Sequence, residues 1–298
     1  MLSQVELEER IDAAYGLLES CRLCPRECGV DRLKNEKTGF CRSGLETVIS
    51  SISPHFGEEP PLSGTKGSGT IFFTNCNLKC VYCQNYPISQ MDNGEERSIG
   101  ELACQMLWLQ EQGCHNLNLV TPTHYVPQIL KSLGIAKERG FNLPIVYNSS
   151  GYDSVETLRL LDGIIDIYLP DMRYSDDAAA LKYSSAPNYP EVNRAAIREM
   201  YRQVGNLVLD EQGIAKQGLI IRHLVLPGGI SGTEEVMKFL SGEISTEVCI
   251  SLMSQYFPAY KTSEYKELSR RVTAEEYEEA YQVMQKYGLE NGWVQELS

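Results

Sequence analysis

From residue 70 onward, apolar strand-like runs alternate with amphipathic helical stretches. Runs at 70–74, 117–120, 144–148, 164–169, 219–226 and 247–253 read as strands, being short, continuous and rich in aliphatic side chains. Helical patterns fill the gaps. Ser98 and Glu101 make a capping box ahead of Leu102, Met106 and Leu109, and Ser154 caps a short helix carrying Val155, Leu158 and Leu161. Further crossovers fall at 194–204 and 233–240. Continuous apolar strands separated by single helices predict a parallel sheet covered on both faces. About six such units make the economical architecture a partial (β/α)6 barrel of TIM-like type, with its chemistry gathered at the C-terminal strand ends.

The flanks read differently. Residues 1–62 form an N-terminal helix and a four-cysteine knuckle, 63–254 the barrel, and 255–298 a C-terminal extension with a second capping box at Thr273 and Glu276. Prolines and glycines between 53 and 67 predict an ordered loop leading into the first strand. Within it, Glu58 and Glu59 fit either a solvated acidic pair or the mouth of a site.

At 298 residues and 42% hydrophobic content, the chain can bury one large core or one core with an appendage. A net charge of −13 disfavours nucleic acid and anionic membranes as general partners. No apolar run approaches the ~20 residues of a membrane span, and the acidic, amphipathic start has no signal-peptide pattern. A soluble, cytoplasmic monomer is expected. In that setting ten cysteines favour metal ligation or redox chemistry over disulfides.

The cysteines fall into groups. Cys76, Cys80 and Cys83 occupy a loop directly after the first strand, in the run Thr-Asn-Cys-Asn-Leu-Lys-Cys-Val-Tyr-Cys-Gln-Asn-Tyr-Pro. Thiolates at this spacing can converge on one soft metal centre, and three protein ligands leave a coordination position open. A second set, Cys21, Cys24, Cys28 and Cys41, suffices to close a site for zinc or an auxiliary iron-sulfur cluster, or stands as free redox-active thiols. Cys104, Cys114 and Cys249 read as buried small hydrophobes.

The three-cysteine loop, with Tyr82 before its last cysteine, resembles the cluster loop of radical S-adenosylmethionine (SAM) enzymes. That resemblance implies a 4Fe-4S cluster whose open iron takes the amino and carboxylate groups of SAM and cleaves it reductively to a 5′-deoxyadenosyl radical. The second strand ends in Thr121-Pro-Thr123-His124, where the family commonly carries a Gly-Gly-Glu-like segment for the SAM amino group. Asn148 and Ser149 at the third strand end resemble ribose or carboxylate contacts. Arg222 and His223, before a Pro-Gly turn, resemble the matching strand of pyruvate formate-lyase activating enzymes, which implies Arg222 beside the SAM carboxylate and leaves His223 a structural histidine. With Gly57–Gly64 and the terminal Asn-Gly-Trp-Val-Gln, the chain resembles the PflX-type subgroup of these activases. The resemblance implies an electron donor such as flavodoxin or ferredoxin, and a glycyl-radical enzyme or peptide substrate. Modification of a small metabolite, and a non-catalytic metal-binding interaction module, are the alternatives.

Overall fold

The computed structural model describes residues 3–296. Among the described residues, ten strands form one sheet: β1 (Thr47–His55), β2 (Ser68–Phe73), β3 (Glu95–Arg97), β4 (Leu117–Val120), β5 (Ile145–Ser149), β6 (Ile167–Pro170), β7 (Val208–Leu209), β8 (Ala215–Leu224), β9 (Cys249–Met253) and β10 (Gly292–Val294). Their order is β10-β9-β8-β6-β5-β4-β2-β1-β3, with β7 attached to β8. The six expected barrel strands are β2, β4, β5, β6, β8 and β9, each parallel to the next. The sheet does not close, so the barrel is partial.

Helices Ile99–Glu111, Val126–Glu138, Val155–Leu160, Tyr189–Val204 and Thr233–Phe239 supply the crossovers. Ser98 accepts from the Glu101 amide while Glu101 accepts from the Ser98 amide, and Thr273 with Glu276 repeats the arrangement. Ser154 occupies its N-cap position without a side-chain hydrogen bond, because its extended backbone alone starts the helix. No helix among the described residues is long and apolar enough to cross a membrane.

Side-chain parity divides the interior. Leu119, Tyr147, Tyr168, Ile221 and Leu252 face the helices in the main core, which also takes in Leu17, Leu18 and Leu23 of the N-terminal segment. The alternate positions Val146, Ile167, Leu169, Ala215, Ile220 and Cys249 form a separate apolar cluster inside the sheet. Leu62, fully buried, plugs that cluster. It belongs to the short helix Pro60–Ser63, whose Leu62 carbonyl accepts from Asn116 Nδ2 at 2.8 Å. The region expected to be a connecting loop thus does two jobs. Residues 53–55 complete β1, a strand antiparallel to β2, and the helix Pro60–Ser63 seals the barrel floor.

Within the C-terminal extension, β10 adds a parallel strand beside β9. One further expectation shifts. Cys114 and Cys249 are buried, but Cys104 is exposed on the helix Ile99–Glu111, near the Arg139 guanidinium.

Candidate active site

One cavity of about 610 Å³ opens at the C-terminal strand ends and reaches down toward the plugged floor. Cys76, Cys80 and Cys83 border it together with Thr121, Asn148, Ser149 and Arg222. Seven residues expected at the site from sequence therefore share one chamber. Tyr82, Thr123 and His124 do not border it. The Tyr82 hydroxyl pairs with Tyr174 at 2.6 Å in the core, Thr123 donates to Asp153 at 2.7 Å, and His124 Nε2–H donates to the Thr74 carbonyl at 3.0 Å. Burial holds His124 neutral, with its pKa lowered to about 3.

The cysteine loop is ordered by its own backbone and by the barrel. The Val81 amide donates to Tyr183 and that of Lys79 to Ser184. Donors reach the sulfurs: the Leu78 amide approaches Cys76 Sγ at 3.3 Å, and Ser184 Oγ approaches Cys80 Sγ at 3.0 Å. Ser89 Oγ lies 3.2 Å from Cys83 Sγ, and the Arg173 guanidinium is 3.6 Å from Cys80 Sγ. Burial first, then neighbouring Cys80, pushes the Cys76 thiol up to about 12. The donors and Arg173 suit sulfurs that carry negative charge in a metal cluster. Among the described residues no three His, Cys, Asp or Glu side chains converge as a single-ion site. Three cysteine sulfurs, each approached by a donor, suit a cluster that keeps one position open.

Opposite the loop, the strand ends carry a charged network. Asp171, just after β6, accepts from Arg222 Nε at 2.8 Å and pairs with Arg173. Arg222 Nη2 donates to Asn148 Oδ1 at 2.7 Å. Burial opposes charge on both arginines, and Asp171 more than offsets it, so both stay protonated. Arg222 thus points into the barrel with a fixed orientation. His223, on the other face of β8, donates from Nδ1 to the Met172 carbonyl at 2.7 Å and accepts at Nε2 from Thr233. Ser149 Oγ donates to Asp153 at 2.6 Å, sharing that buried carboxylate with Thr123 and Tyr147.

The sequence reading missed Asp171, Arg173 and Ser150, all on the cavity wall. Their signal was available in the polar residues that follow β5 and β6. Glu58 and Glu59 also border the chamber, but on its floor side and not at the mouth, because Leu62 anchors their segment beneath the sheet. Trp293, Val294 and Gln295 bring the C-terminal strand to the same wall.

The N-terminal knuckle sits beside the cysteine loop. Arg26 Nε donates to the Asn77 carbonyl at 2.9 Å, and its guanidinium stacks 3.7 Å over Phe40. The Phe40 amide points at Cys28 Sγ at 3.3 Å. Cys24 is buried with Cys41, Cys21 and Cys28 as its electrostatic neighbours, so the chain brings the four thiols into one neighbourhood.

The profile of the Radical SAM superfamily matches residues 70–203. An uncharacterized protein of Methanocaldococcus jannaschii, MJ0674, is 33% identical over 294 residues, covering 95% of this chain and 80% of its own length. Among solved structures, anSMEcpe with bound AdoMet aligns with a TM-score of 0.48 and 10% identity, over 77% of this chain and 58% of its own. HydG, a maturase of the FeFe-hydrogenase, aligns with a TM-score of 0.49 and 12% identity, over 98% of this chain and 63% of its own. The chain therefore spans less than two thirds of the length of either solved chain.

Proposed function

Because the chain belongs to the radical SAM superfamily, we propose that it reductively cleaves SAM and uses the resulting radical to abstract hydrogen from a substrate held in the 610 Å³ cavity. Cys76, Cys80 and Cys83 would hold a 4Fe-4S cluster, which would supply the electron for reductive cleavage of SAM to methionine and a 5′-deoxyadenosyl radical. The observation carrying this reading is the meeting of three free thiols with Asn148, Ser149 and Arg222 on one wall system.

The protein's own residues bind, orient and exclude water. Leu78 and Ser184 steady the sulfurs by hydrogen bonds, and Arg173 counters their charge. Arg222, fixed by Asp171 and Asn148, presents a guanidinium suited to the SAM carboxylate. Asn148 and Ser149 offer amide and hydroxyl groups to the ribose. Thr121, bordering the cavity where the family's acidic segment is missing, offers a hydroxyl and carbonyl to the SAM ammonium. Tyr82, Thr123 and His124 support these groups from behind.

For the substrate we favour a glycine Cα–H of a partner protein, in line with the PflX-type resemblance, with flavodoxin or ferredoxin as reductant. The knuckle cysteines Cys21, Cys24, Cys28 and Cys41 are proposed to hold a second cluster. Anaerobic reconstitution tests both centres through iron, sulfide and zinc content and 5′-deoxyadenosine release. Cys76→Ala should lose one 4Fe-4S cluster and all SAM cleavage, while Cys24→Ala should lose only the second complement of iron. Retained cleavage in Cys76→Ala would overturn the central assignment. A glycine-centred EPR doublet on a partner selects the activase, and a modified small product without one removes it.

A further inference from the structure

We propose that Glu58 and Glu59 form a subsite for an ammonium or guanidinium group at the cavity floor, and that the substrate supplies this cation. The substrate assignment rests on the radical SAM reading of the same cavity; the subsite itself rests on observations of its own. Both glutamates border the chamber. Glu59 is only 8% exposed, and its Oε2 has no hydrogen-bond partner. Neither residue belongs to an ion pair among the described residues, although Arg222 is close, because Arg222 is committed to Asp171 and Asn148.

Asn118 supplies an independent sign of a missing ligand. It is fully buried, shares the inward face of β4 with Val120, and stands level with Val146 in the floor layer beside Glu58. Its amide lies against the Glu58 carboxylate and favours the charged form, while its Oδ1 finds no hydrogen-bond partner. The Glu59 Oε2 and the Asn118 Oδ1 are buried acceptors without partners, each costly, so their juxtaposition calls for a ligand rich in donors. Ammonium and guanidinium groups carry donors only, and carry the opposite charge. A bare metal ion fits less well, because no three acidic or thiol ligands converge there.

The subsite is built before any ligand arrives. Ser63 Oγ accepts from the Glu58 amide at 3.0 Å, and the Leu62 amide donates to the Glu59 carbonyl at 2.8 Å, with Leu62 locked in the floor cluster. Burial, opposed by the charge of Arg222 and reinforced by Glu59 alongside, pushes the Glu58 carboxyl up to about 7. The cysteine loop follows the opposite end of β2, which separates this cation from the ammonium of SAM bound at the cluster.

The test is calorimetric titration of the full, anaerobically reconstituted protein with SAM, n-butylammonium, n-butylguanidinium and neutral n-butanol. The cations should bind and the alcohol should not. Glu58→Gln and Glu59→Gln should each weaken cation binding about tenfold, a loss of about 1.4 kcal/mol. SAM affinity should hold, which also shows that the variants are folded. A fall in SAM affinity with cation binding unchanged would assign the carboxylates to SAM's own ammonium and overturn the substrate assignment. Failure of the cations to bind, equal binding of n-butanol, or indifference to both substitutions would overturn the subsite. Cation binding that depends on Glu59, in protein that cleaves no SAM, would leave the subsite standing while the radical SAM reading fell.

Discussion

Asp153 never reaches the cavity, yet it accepts hydrogen bonds from Thr123, Tyr147 and Ser149 and so ties two strand ends into one rigid wall. Close by, Thr121 adopts φ of +60°, a left-handed conformation that a β-branched residue seldom takes. That geometry costs about 1–2 kcal/mol for a residue with a Cβ and is retained at a position bordering the site. Thr121→Gly should therefore melt no lower than wild type, where the same change in ordinary backbone would cost about 1 kcal/mol of entropy. SAM affinity should fall in the same variant if the hydroxyl is used. A large drop in melting temperature would show that the threonine is unstrained. At this scale the cysteines were legible because their chemistry resides in spacing along the chain. Asp171 and Arg173 were legible as polar residues at a strand end but not in their roles, because Asp171 pairs with Arg222 on a different strand and with Arg173.

Elements were legible in proportion to their self-sufficiency. The helix Ile99–Glu111 carries its own cap and apolar stripe, and β4 its own aliphatic run, so both appear where the pattern puts them. β1 hid behind the serines and proline of Thr47–His55, and β10 is three residues whose stability comes from β9. Gly292 is the key to the latter. It has φ of +134°, and a Cβ there would stand 1.9 Å from the Ile250 carbonyl oxygen. Gly292→Ala should peel β10 from the sheet and withdraw Trp293, Val294 and Gln295 from the cavity wall. Hydrogen exchange checks this: amides paired between β9 and β10 should lose protection while those of β4 and β5 keep it. Unchanged protection at 292–295 would refute it.

For the whole molecule, the barrel's integrity depends on buried neutral groups as well as on apolar packing. His223 joins the exit of β6 to the helix Thr233–Phe239, and burial lowers its pKa from 6.5 to about 4. The unfolded chain then binds the proton more readily than the folded one. Stability from this group is complete above pH 6.5 and is lost as pH falls toward 4. Thermal unfolding of wild type between pH 7.5 and 4.5 should decline more steeply than that of His223→Gln, each referred to its own value at pH 7.5. Parallel slopes would exclude this contribution. The α/β class and the six-strand count were open to reading because parallel strands are apolar throughout; the plugged floor was not, since it depends on which strands Leu62 meets.

That plug makes the chamber a vessel with a bottom. If the amine-bearing molecule rests on Glu58 and Glu59 while SAM lies across the cysteines above it, loading follows a compulsory sequence. The lower occupant has to enter first, and it leaves only after the fragments above it have gone. A kinetic scheme of this kind turns an aliphatic side chain far from any bond-breaking into the determinant of turnover order.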